Sequence, residues 1–142
     1  MIRLKLILLI ITGGLLSDCQ QKEERTQWKG YVSQEDDFAY ANRYTSTMQF
    51  TQTGNTLVGE NYFSVSKNDT VFVRFAFEGV IDGDTIRLKE NAILEATRKK
   101  GEWYTKDITL YFTNQEKNIL EGKWVAHRNR AAFGYLHYEL AP

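Results

Sequence analysis

Four groups of residues have types or spacings that could do chemistry. His127 and His137 are the two histidines of the 142-residue chain. Imidazole is a common metal ligand, and the two rings could share an ion if their strands pair. No carboxylate is placed to complete such a site, and Arg128 and Arg130 beside it oppose a cation, so surface or barrel-end histidines are expected. Glu35-Asp36-Asp37 supplies adjacent acids, whereas glycoside cleavage needs two carboxylates facing each other across a substrate; a solvated loop is expected. Asp82-Gly83-Asp84 could open a calcium loop, but the next residues, Thr85-Ile86-Arg87-Leu88, read as a strand and not as further oxygen ligands. A hairpin turn is the reading there.

Cys19 is the single cysteine, which excludes an internal disulfide and any two-thiolate metal site. The chain contains no Gly-x-Ser-x-Gly elbow and no phosphate-cradling glycine loop, and neither histidine has a recognisable serine partner. No catalytic residue, metal or cofactor is expected, and the chain reads as a non-enzyme.

The setting of Cys19 is more telling. Arg3 and Lys5 precede an apolar run of about 11 residues, suited to a signal h-region and short of the roughly 20 a membrane-spanning helix needs. The segment Leu16-Ser17-Asp18-Cys19 resembles the lipobox of bacterial lipoproteins. That resemblance implies a diacylglycerol thioether on Cys19 and removal of residues 1–18. Leu16 and Ser17 match the pattern, while Asp18 stands where the family carries a small residue, so an uncleaved signal anchor is the alternative. Gln20-Gln21-Lys22-Glu23-Glu24 also resembles the surface-export signal of Bacteroidota lipoproteins, and Gln20 is not the Asp of inner-membrane retention. The expectation is a lipid-anchored protein of the outer membrane, on its periplasmic face or the cell surface. Acyl chains contribute about 0.8 kcal/mol per buried CH₂, and two or more give stable anchoring. Residues 19–26 form a polar tether.

Residues 27–142 read as one domain. Basic and acidic side chains balance at 18 each, without the clustered basic face that nucleic-acid binding needs. Nucleic acid is excluded as a partner, and Arg98-Lys99-Lys100 reads as a solvated turn. Period-2 alternation recurs between turn signals. Thr47 to Thr51 alternates, and Thr53-Gly54-Asn55-Thr56 turns. Leu57 to Val65 runs on to a second turn at Ser66-Lys67-Asn68-Asp69. Val71, Val73, Phe75 and Phe77 share a face, as do Ile86 and Leu88, Ile108, Leu110 and Phe112, and Leu120, Gly122, Trp124 and Ala126. Ile93 to Thr97 reads as a further strand and Phe133 to Leu140 as the last. Glu35 to Tyr44 is open between loop, short helix and strand.

The pattern predicts an all-β fold, an antiparallel up-and-down meander of about eight strands. A barrel is favoured over a two-sheet sandwich because closure hides sheet edges. Trp28-Lys29-Gly30, Gly54, Gly59, Gly79, Gly83 and Leu120-Glu121-Gly122-Lys123-Trp124 give the body a rhythm similar to small lipocalin-like and avidin-like barrels. That resemblance implies the architecture and no ligand residues. Trp103-Tyr104, Tyr40, Tyr44, Tyr62, Tyr111 and Tyr135 could line a barrel mouth and stack sugars or hold an apolar ligand, or simply fill the core. Two functions follow as expectations. One is a lipid-anchored binding module for a small apolar ligand or glycan; the other is a structural or protein-interaction lipoprotein with a filled barrel.

Overall fold

A computed structural model describes residues 25–36, 39, 41–65, 68–97, 103–128 and 130–142. Cys19, the signal segment, Asp37, Tyr40 and Arg98-Lys99-Lys100 lie outside the described residues. Eight antiparallel strands close into a barrel, each pairing with the next and β1 with β8. They are β1 (Thr26–Ser33), β2 (Arg43–Thr53), β3 (Thr56–Val65), β4 (Asn68–Asp82), β5 (Thr85–Ala96), β6 (Lys106–Phe112), β7 (Ile119–Ala126) and β8 (Phe133–Leu140). No helix occurs among the described residues. Closure leaves no free sheet edge along most of the wall, which is how the meander avoids edge-to-edge association.

The barrel has two unlike ends. At one, β2–β3 and β4–β5 are joined by two-residue turns in which Gly54 and Gly83 each adopt φ +59°. Glycine with positive φ at the first central position is the arrangement of a type II′ hairpin, whose twist matches the strands it joins. Asp82-Gly83-Asp84 is thus a hairpin turn. β6 and β7 are joined there by residues 113–118, and both β1 and β8 have their outer termini at this end. The longer connections, 34–42, 97–105 and 127–132, all lie at the opposite end.

Period-2 alternation sends one side of every strand inward, and large side chains fill that space. Met48, Leu57, Val73, Phe75, Ile86, Leu110, Leu120 and Tyr138 have no accessible surface. Full burial of such a residue contributes about 1.5–3 kcal/mol. Large inward residues face inward glycines across the ladders: Phe50 faces Gly59, Leu88 faces Gly79, Leu110 faces Gly122 and Trp124 faces Gly134. Alternating size in this way lets a small barrel fill without voids. Among the described residues the inward side chains form one buried hydrophobic cluster.

One detail differs from the sequence expectation, and a second is open in it. The segment beginning at Ile93 is not a separate strand but the far half of β5. Two register shifts against β4 leave Asn91 and Leu94 as extra residues on β5, and such bulges bend a strand while breaking the alternation that would reveal it. Tyr44, open in the sequence between barrel mouth and core, lies in the core and is only 6% exposed. Its hydroxyl accepts the Ala41 backbone N–H at 3.2 Å, and its ring meets Trp103 edge-on.

Candidate functional site

The residues first considered for chemistry are not brought together. β7 and β8 do pair, but His137 lies opposite Glu121 in that ladder while His127 sits beyond the end of β7. His127 donates from Nε2 to Asp107 Oδ1 at 2.7 Å and meets Thr105 Oγ1 through Nδ1 at 2.9 Å. His137 is held by Glu121 at 2.9 Å and stacks on Tyr31. No group of three metal-capable side chains occurs among the described residues. Asp36 is a structural tie. It accepts Gln34 Nε2 at 3.1 Å and the Phe133 backbone N–H at 3.2 Å, fastening the 34–42 loop to the start of β8. Tyr111 and Tyr135 stand exposed on the outer wall, and Tyr62 is half-buried.

The site with the most unusual chemistry lies where β5 and β6 part. Their ladder runs from Thr85–Tyr111 to Lys89–Asp107 and stops. The next opposed positions are Glu90 and Lys106, both facing inward and 1% and 7% exposed. Here side chains replace the ladder. Glu90 Oε2 accepts both the Lys106 backbone N–H and its Nζ at 3.0 Å, while Glu90 Oε1 accepts Asn61 Nδ2 at 3.1 Å. Lys106 Nζ also donates to the Tyr104 carbonyl at 3.1 Å. The ammonium lies 3.9 Å from the Phe75 ring centroid and 4.6 Å from that of Phe63, so aromatic faces cover much of what the carboxylate leaves. Burial pushes the Glu90 carboxyl up and the Lys106 ammonium down, desolvation outweighing their mutual attraction. Asn61 Oδ1 is buried without a partner.

Beyond this pair the strands diverge. The bulges at Asn91 and Leu94 carry β5 along β4 and away from β6. A cleft of about 410 Å³ occupies the opening. Residues 91–93 form one wall, Trp103, Tyr104 and Thr105 the other, and Arg128 reaches in from the β7–β8 connection. The volume lies within the roughly 300–1,000 Å³ range of small-molecule sites. Lys106 fixes the Tyr104 wall from beneath, and the Thr105–His127–Asp107 chain fixes it from the side.

Trp103 and Tyr104 were legible as candidate mouth aromatics; Asn91, Arg128 and the Glu90–Lys106 pair as a site were not. One signal was available. Glu90 continues the inward stripe of Ile86 and Leu88, and Lys106 begins that of Ile108 and Leu110, so each is a charge on an apolar face.

No protein-family model and no curated protein matches this chain. Solved structures do. The fold is shared with a solved surface lipoprotein. A crystal structure described as a surface lipoprotein superposes with a TM-score of 0.54 at 11% identity, covering 84% of this chain and 62% of that one. A mutant of transferrin binding protein B from Actinobacillus pleuropneumoniae H49 gives 0.48 at 12% identity, covering 83% and 62%. The chain therefore spans about three-fifths of the length of each. At such identity the likeness is one of fold.

Proposed function

We propose that this chain is a non-enzymatic binding lipoprotein of the cell envelope, carried on lipid at Cys19, with its ligand site in the loop-end cleft. The observation that carries this reading is the cleft between β5 and β6, about 410 Å³, at the end of the barrel opposite the chain termini. A tether from Cys19 to Thr26 spans at most about 25 Å. It enters at the tight-turn end, so the cleft points away from the bilayer. The occurrence of this fold in a surface lipoprotein fits an outer-membrane location, on the cell surface or the periplasmic face. Of the two ligand classes expected, an apolar molecule inside the barrel would compete for space with the buried hydrophobic cluster. The cleft, lined by Trp103, Tyr104, Ala92 and Ile93 together with an amide, a hydroxyl and a guanidinium, mixes apolar surface with polar groups as a glycan site does.

Native mass spectrometry of the detergent-extracted protein from the cells that make it tests this reading. A retained saccharide is expected, and its loss in Asn91→Ala would place it in the cleft. Cys19→Ala should abolish labelling by a clickable fatty acid and release the protein from membranes; undiminished labelling would overturn the anchor.

A second reading, a protein-interaction lipoprotein with a filled barrel, is favoured by the packed lumen and by Phe133 and Tyr135, 42% and 56% exposed on β8. A bound protein chain lost in Tyr135→Glu would establish it in the same experiment.

A further inference from the structure

The cleft has a charge character that narrows its ligand. Among the described residues, Arg128 is the only charged residue lining it. Other charged groups nearby have partners of their own: Lys106 meets Glu90, Arg74 is shared by Glu95 and Glu60, and Asp107 accepts from His127. Arg128 is exposed and makes no ion pair among the described residues. The guanidinium presents a planar fork of donors matched to a carboxylate. Trp103, Tyr104 and Asn91 line the same cleft. Rings that can pack against the C–H face of a sugar, an amide for its hydroxyls and one unpaired guanidinium form a consistent set.

An extended peptide added to the open side of β5 fits less well. Strand addition needs a regular run of outward donors and acceptors, and the bulges at Asn91 and Leu94 interrupt that run. A purely apolar ligand would bury Asn91 and Arg128 without partners.

We infer that the cleft binds an acidic saccharide, its ring against Trp103 and Tyr104 and its carboxylate on Arg128. The inference rests on the reading of the cleft as the ligand site. Sialic acids and uronic acids share this chemistry. The walls are held before the ligand arrives, since the Glu90–Lys106 pair pins both strands at the point where they part. Little ordering is then required on binding.

Titration calorimetry of the detergent-solubilised full chain, at low and at 0.3 M salt, tests the inference. The probes are sialyllactose and tetragalacturonate, with lactose and a neutral galactose tetramer as their uncharged counterparts. At least one acidic probe is expected to bind about ten-fold or more tightly than its neutral counterpart, as a charge-assisted contact implies, and to weaken as salt rises. Which of the two binds identifies the source. Arg128→Gln should remove the preference for the acidic probe over its neutral counterpart, and Asn91→Ala should weaken both. Both positions are exposed, so the variants should keep the wild-type circular dichroism spectrum. Equal binding of acidic and neutral probes, unchanged by Arg128→Gln, would overturn the acidic class and leave the cleft a saccharide site. Binding untouched by either substitution would overturn the cleft itself. No binding of any probe at millimolar concentration would overturn the present inference, while the cleft reading would still answer to the mass-spectrometric result.

Discussion

Glu90 and Lys106 are together costly to bury and more costly to separate. Removing one partner of a buried pair costs about 3–5 kcal/mol, because the other charge remains uncompensated, whereas an apolar pair of similar size is often neutral. Lys106→Met should therefore lower unfolding stability by about that amount in urea denaturation. Glu90→Leu combined with Lys106→Met should recover part of the loss, leaving a residual of about 1–3 kcal/mol from the Asn61 amide and the Lys106 backbone N–H, both without their Glu90 acceptor. Additive losses in the double variant would show that the two side chains do not act as a unit. A second residue-scale prediction concerns Tyr138, whose hydroxyl meets Ser46 Oγ at 2.6 Å inside the barrel. Burial pushes its phenol well above the ordinary value near 10. A raised folded-state value means that its stabilisation is complete below pH 10 and is lost as pH rises toward the folded value. In that window the unfolded chain releases a proton that the folded one keeps, and stability falls by up to about 1.4 kcal/mol per pH unit. Urea midpoints measured from pH 9 to 11 should decline less steeply for Tyr138→Phe than for the wild type. Parallel declines would mean that Tyr138 titrates normally.

At the scale of elements, strands are legible in the sequence wherever alternation is intact, and they are lost where a bulge interrupts it. β8 begins and ends at Phe133 and Leu140, as its pattern predicts, and the Gly54 and Gly83 hairpins fall where their dipeptides signal them. β5 reads as two segments because Asn91 and Leu94 each add a residue and reverse the phase of the pattern. Those same bulges open the cleft, so the irregularity that hides the strand also makes the site. The opposite wall depends on a different device. Trp124 Nε1 donates to the Ser33 carbonyl at 2.9 Å, reaching from β7 to β1 across β8 at Gly134. A Cβ at Gly134 would run into that carbonyl and the indole. Gly134→Ala should therefore cost about 1–3 kcal/mol as overpacking, read as a lowered thermal midpoint. An unchanged midpoint would show that the Ser33 backbone shifts as well as the indole, at no measurable cost.

At the scale of the whole molecule, the two ends of the barrel are put to different uses. The tight-turn end carries the start of β1, where the proposed tether would enter, and the loop end carries the cleft. For protein anchored in vesicles, a fluorophore on a cysteine introduced at Gln115 should be quenched by lipid-borne quenchers, and one at Arg130 should not. Reversed quenching would place the cleft against the bilayer.

The amino-acid sequence by itself determined the fold class and the meander, because period-2 hydrophobicity and glycine turns act locally and within a few residues of each other. It also determined the setting of Cys19, which depends only on neighbouring residues. Tertiary structure alone decided that the lumen is filled, because filling depends on which inward glycine faces which large side chain across a ladder. It alone brought Glu90 to Lys106, and Asn91 and Trp103 to Arg128. Those meetings depend on the register between strands and on where two of them part, which no single stretch of chain encodes.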